Sequence, residues 1–180
     1  MGFSRPRKKS YSEEQLYEYA VNALARRMRT VAELKRMMRA RVEDAESDYG
    51  QTLIELVIRR LKDHGYLNDS QYAASFSSLR RDNQKFGRMR VVTDLKAKGV
   101  HADLIDNAVN AAFEGVNEEK QAREFLRKKR LERPNDQKQA ARIFRQLVRA
   151  GFRTKTILTI LKNWNVDEDT LMALDSESES

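Results

Sequence analysis

The chain has 180 residues, 40% of them hydrophobic and 34% charged, with no cysteine and a net charge of +8 from 35 Lys+Arg against 27 Asp+Glu. Seven glycines and two prolines are too few turn-makers for a β-sandwich, and the lack of cysteine excludes disulfides, thiolate metal sites and a thiol nucleophile. No apolar run reaches the ~18 residues of a membrane span and no apolar stretch backs the charges of Met1–Ser10, so a cytoplasmic protein without a secretory signal is expected.

The predicted elements are all helical. Residues 1–10, with Arg5, Arg7, Lys8 and Lys9, form a basic flexible tail. Ser12 and Gln15 make a capping box before a stripe of Leu16, Ala20, Ala23 and Leu24. Thr30 and Glu33 make a second box, opening a helix through Leu34, Met37 and Met38. Leu53, Leu56, Val57 and Leu61 mark a third helix, stopped by Gly65. A fourth starts at Asn68 or Asp69 and carries Tyr72, Phe76 and Leu79. A fifth runs from Arg88 through Val91, Val92 and Leu95 to Gly99. The sixth has a wide apolar face of Leu104, Ile105, Ala108, Val109, Ala112 and Phe113 and ends at Gly115. Asn117 caps a seventh, broken before Pro134. The eighth bears Ala140, Phe144, Leu147 and Val148 and ends at Gly151, and a ninth after Thr154 carries Ile157, Leu158, Leu161 and Trp164. Residues 166–180, with six acids, read as an acidic tail that is mobile from Asp175. The two ends together are net acidic, so the body between them is more basic than the whole chain.

Nine helices resolve into three helix-turn-helix-like units, at 11–66, 67–116 and 117–165. The second helix of each ends on one pattern: Leu34, Met37, Arg41, Val42; then Val92, Leu95, Gly99, Val100; then Phe144, Leu147, Gly151, Phe152. The intervals of roughly 50 residues are too long for the tetratricopeptide period. A unit of that size buries little surface alone, so the expected architecture is an all-α, elongated and curved array of stacked repeats.

Catalytic constellations are missing, and no enzyme, cofactor or metal site is expected. His64 and His101 are the only histidines and have no carboxylate at metal-site spacing; His64 reads as a helix-end residue. Asp167, Glu168 and Asp169 lack the glycine and closing glutamate of a calcium loop. Trp164, Phe144 and Phe152 read as core. The helix from His101 to Glu114 carries Asp103, Asp106 and Glu114 and no Lys or Arg, which argues against major-groove reading.

Basic residues gather in three matching places, each running from the first helix of a unit towards the second. They are Arg26, Arg27, Arg29, Lys35, Arg36, Arg39 and Arg41; then Arg80, Arg81, Lys85, Arg88, Arg90, Lys96 and Lys98; then Arg123, Arg127, Lys128, Lys129, Arg130 and Arg133. Matching places in stacked repeats predict one basic stripe for a polyanionic partner.

The stretch Leu61-Lys-Asp-His-Gly65-Tyr66-Leu67-Asn68-Asp69-Ser-Gln-Tyr72-Ala73, followed by Phe86-Gly87-Arg88 through Leu95, Lys98, Gly99 and Val100, resembles the central motif of the RecX family of recombination regulators. Leu147, Gly151, Phe152 and Ile157 fit the last unit of that family, and Arg41 departs from the glycine usual at its position. Gly65, Tyr66, Leu67, Asp69, Gly87, Leu95, Gly99, Gly151 and Phe152 form the shared structural motif, with Tyr66 and Leu67 expected to pack under their turn. The resemblance implies tandem three-helix units and a monomeric, non-enzymatic modulator, mostly inhibitory, of the RecA recombinase filament in recombination, repair and the SOS response. It also implies weak, non-specific contact with single- and double-stranded DNA. The alternatives are a helix-turn-helix transcriptional DNA-binding protein and a helical-repeat adaptor with no nucleoprotein role.

Overall fold

Residues 11–178 are described in a computed structural model, and the basic segment 1–10 lies outside them, as do the last two residues. Among the described residues there are ten α-helices and no strand: α1 (Glu13–Arg26), α2 (Val31–Arg39), α3 (Asp48–Asp63), α4 (Asp69–Leu79), α5 (Arg88–Ala97), α6 (Ala102–Phe113), α7 (Glu118–Lys128), α8 (Gln137–Arg149), α9 (Thr154–Asn163) and α10 (Glu168–Ser178). A π-helical turn, Arg80–Gln84, continues α4 and ends on Lys85 in the left-handed region.

Local chemistry sets most of these boundaries. Both predicted capping boxes form: Ser12 accepts from the Gln15 amide and Thr30 from the Glu33 amide, while the Gln15 and Glu33 side chains accept from the cap amides. The Asn68 side chain accepts from the Gln71 amide at 3.0 Å and the Asn117 side chain from the Lys120 amide at 2.9 Å. Gly65, Gly99, Gly115 and Gly151 all take positive φ just beyond a helix end. Arg41 is different. The first repeat ends α2 without a left-handed residue, Ala40 staying in the right-handed region at φ −73°. Buried Leu34 and Met38 answer buried Val91 and Leu95, so Val42 follows its repeat anchor one residue sooner than Val100 does.

Two compact units divide the described chain. The first runs through Tyr72 and takes in Ala97–Leu104; the second is Ala73–Lys96 and the chain from Ile105 onward. The core of the first unit joins Leu16, Ala20, Leu34, Met38, Val57 and Leu61, and Leu67 is buried against it. Tyr66 corrects the expectation that it packs under the turn: its side chain is 57% exposed, with its ring edge-on to His64 at 6.1 Å. Leu67 already fills the space beneath the turn, so the adjacent side chain projects outward. In the second unit Phe125, Phe144, Leu147, Phe152, Ile157 and Leu161 form the core, and Trp164 packs partly buried against it.

The acidic segment beyond 166 is also corrected. It is no loose tail through 178 but α10, whose Thr170 and Leu174 are buried on the second unit's core, with Asp167 capping from both carboxylate oxygens onto Thr170 at 2.8 Å. The cap lowers the Asp167 pKa, since its hydrogen bonds from the Thr170 amide and hydroxyl favour the ionised carboxylate.

Gly87 and Gly151 position the second unit's parts. The Gly87 amide donates to the Ala150 carbonyl at 2.8 Å and the Met89 amide to the Gly151 carbonyl at 3.2 Å, so α5 starts directly on the α8–α9 turn. A methyl group on Gly87 would collide with the Gly151 carbonyl, and one on Gly151 with the Arg90 backbone.

Candidate functional site

The predicted basic residues do not behave alike. In the first unit, Arg29 donates through Nε to the Ala23 carbonyl at 3.2 Å, so it ties down the end of α1. Arg27 lies 3.6 Å from Glu33, and Lys98 3.2 Å from the same carboxylate. Lys35 pairs with Glu55, and Arg41 stacks over the Tyr19 ring at 5.0 Å. Arg26, Arg36 and Arg39 are exposed and have no partner among the described residues.

Glu33 is the electrostatic centre of that group. Burial pushes its pKa up, but the Lys98 hydrogen bond and charge, the Thr30 amide and Arg27 together outweigh burial and leave it below the usual carboxylate range. The hydroxyl of Thr30 donates to the Lys98 carbonyl at 2.7 Å, so one capping residue holds both the start of α2 and the turn after α5.

In the second unit the cluster expected on α4 and α5 is mostly engaged. Arg80 sits 3.7 Å from Asp94 and lies over the Phe76 ring at 4.8 Å. Arg81 holds both oxygens of Asp82, at 2.7 and 2.8 Å, and donates to the Ala112 carbonyl. The Arg81 hydrogen bond holds the Asp82 carboxyl below its ordinary pKa. Arg90 binds Asp94 at 2.9 Å and covers the Phe86 ring at 5.6 Å, while Arg88 donates to Asn110. Of this group only Lys96 is both exposed and without a partner among the described residues. Arg88 and Arg90 are thus exposed but engaged, Arg88 by the distant Asn110 and Arg90 by Asp94 one turn further along α5.

At the end of α7 the pattern is mixed. Lys128 donates to the Asn83 carbonyl, Lys129 lies 5.9 Å from the Phe125 ring centre, and Lys85 reaches Glu124 at 2.9 Å. Arg127 is exposed and close enough to Glu124 to help lower its pKa, after Lys85 and Lys120. Arg130, in the left-handed region, is exposed and unpaired among the described residues.

The sequence reading passed over one group. On α8, Lys138, Arg142, Arg145 and Arg149 are all exposed, and the helix contains no acid. Their spacing of four, three and four residues was visible in the sequence as a helical stripe. Density along the chain does not single them out, because uncharged residues separate them; only the helix face aligns them.

The histidines are structural in their geometry. His64 is the C-cap of α3, with Nδ1 2.7 Å from the Tyr17 hydroxyl, and exposed His101 stands 3.4 Å from Asp103. Asp103 and Asp106 on α6, and Glu114 just past its end, are exposed, and α6 itself contains no Lys or Arg.

Comparison with known proteins gives one consistent answer. The family model for the second three-helix domain of RecX matches residues 68–109, the stretch that holds α4, α5 and most of α6. The chain is 35% identical over 150 residues to the regulatory protein RecX of Deinococcus radiodurans, covering 82% of this chain and 67% of that one. It is 31% identical over 143 residues to the regulatory protein RecX of Leptothrix cholodnii, covering 79% of this chain and 85% of the relative. A crystal structure of RecX from Lactobacillus salivarius shares the fold with a TM-score of 0.65 at 20% sequence identity, over 85% of this chain and 96% of that one.

Proposed function

The chain belongs to the RecX family of regulatory proteins, and on that premise we propose that it is a non-enzymatic regulator that binds the RecA filament on DNA and restrains its ATPase and strand-exchange activities. Its place of action is the cytoplasm, where that filament forms; among the described residues no helix is long and apolar enough to cross a membrane.

One observation carries the reading. Arg26, Arg36, Arg39, Lys96 and Arg130 are exposed cations that no carboxylate within the described chain satisfies. A filament of protein on DNA offers a dense array of phosphates and acidic side chains for such groups. Arg27, Arg29, Lys35, Arg80, Arg81, Arg88, Arg90, Lys98, Lys128 and Lys129 have internal partners, and they serve first to shape the surface of their own unit. Of the nine motif residues, Gly65, Gly99 and Gly151 form positive-φ turns just past helix ends, and Leu95 is buried inside α5.

RecA ATP hydrolysis and strand exchange, titrated with the parent and with an Arg36→Glu, Arg39→Glu, Lys96→Glu variant, test this reading. The parent inhibits both reactions, and the variant inhibits at least tenfold more weakly with unchanged helix content. A parent without effect on RecA removes the proposed function; a variant that inhibits like the parent removes these residues from it.

A further inference from the structure

Helix α8 is amphipathic in an unusual way. One side buries Ala140, Ile143, Phe144 and Leu147 in the second unit's core. On the opposite side Lys138, Arg142, Arg145 and Arg149 recur at four-, three- and four-residue steps, which keeps them within one narrow face. All four are exposed, and Lys138, Arg142 and Arg149 have neither an ion pair nor a hydrogen bond among the described residues.

A helix face that serves only solubility mixes the signs of its charges, with acids four residues from bases. The α8 face does not. Its 13 residues hold no Asp or Glu, in a chain with 27 such residues. Helix α9 also lacks acids, but its Lys155 and Lys162 share a groove with Glu168 and Asp175 of α10. Lys138, Arg142 and Arg149 of the α8 stripe have no such complement among the described residues.

We propose that this stripe is a track for the phosphate backbone of duplex nucleic acid, read without base contacts. From Lys138 to Arg149 the stripe extends about 16 Å along the helix axis. Phosphates on one strand of a duplex recur every ~3.4 Å of axis, so the stripe spans about five of them. Guanidinium groups bind such oxygens through paired donors, and Arg142 and Arg149 are free to do so. A single strand is the weaker fit, because it is held by aromatic platforms as well as charge. The one aromatic of α8, Phe144, is 2% exposed. An acidic protein surface fits less well for a related reason, since protein contacts centre on aromatic anchors that this face lacks.

The test uses the full chain without RecA, so its result is separate from the proposed function. Fluorescence anisotropy measures binding to a labelled mixed-sequence duplex at several salt concentrations. The Lys138→Gln, Arg142→Gln, Arg149→Gln variant is expected to bind at least tenfold more weakly at ~50 mM salt. Its slope of log affinity against log salt falls by about 2.7, or 0.9 for each lost phosphate contact. A control with the same change in net charge, Arg59→Gln, Lys120→Gln, Lys155→Gln, keeps its affinity within about threefold and its slope nearly unchanged. If the triple variant loses helix content, single Arg142→Gln and Arg149→Gln variants supply the same reading, each removing about 0.9 from the slope. The proposal is overturned if the parent does not bind duplex, if stripe variants bind like the parent, if the control loses as much, or if a single strand binds more tightly and responds the same way.

Discussion

Asp69 Oδ1 accepts a hydrogen bond from the Val31 amide at 2.9 Å, so the first residue of α4 caps the first residue of α2 across the first unit. The aspartate of the family motif therefore does more than start its own helix. Its partner amide is one of the four that every helix start leaves without an internal acceptor.

Removing that acceptor costs a cap. Asp69→Ala is expected to lose about 1 kcal/mol of stability, measured by urea denaturation at neutral pH. Asp69→Asn keeps an oxygen in place and behaves differently. Burial raises the Asp69 pKa above its ordinary 3.8, so the folded state disfavours the charged form and stability falls as pH rises through the ordinary value to the folded one. The Asn variant removes that fall while it retains the cap, so its stability relative to the parent improves from acid to neutral pH.

Glu33 has the opposite sign. Its folded pKa lies below the ordinary 4.5, so its contribution is fully present above that value and is lost as pH falls through the folded pKa. Glu33→Gln is expected to melt below the parent at neutral pH and to converge with it in acid. A constant difference at every pH would show that the Lys98 and Arg27 contacts contribute nothing.

Substituting the glycines should separate turn strain from collision. Gly65→Ala meets no atom within 4 Å, so only its positive φ is at stake and the cost is about 1 kcal/mol. Gly151→Ala adds a clash with the Arg90 backbone and is expected to cost more than about 3 kcal/mol in the same denaturation measurement.

Charge reversal on α5 separates a structural cation from an available one. Arg90→Glu places a carboxylate beside Asp94 and uncovers Phe86, so a lower melting temperature is expected. Lys96→Glu leaves stability nearly unchanged, because Lys96 touches no partner among the described residues.

Helix starts and stops were legible because they depend on neighbours in sequence: Ser12 with Gln15, Thr30 with Glu33, and Gly65 or Gly151 just past a last turn. Helix α10 was not, since Leu171 and Leu174 are sparse among acids and find their value only against the second unit's core. The engagement of Arg81 and Arg88 was equally hidden. Ala112 and Asn110, which accept from them, are far along the chain, and only folding brings them together. The α8 stripe needed no structure, only a face-by-face count of charges.

The bond from the Gly87 amide to the Ala150 carbonyl closes a loop of roughly 60 residues, a contact that local helix formation cannot supply. Fraying at a single helix end does not release this proton when both sides of the junction are pinned by close backbone approach. Its exchange with solvent deuterium should therefore require the cooperative opening of the whole second unit, which makes the slow amide of Gly87 a single-residue gauge of that unit's global stability.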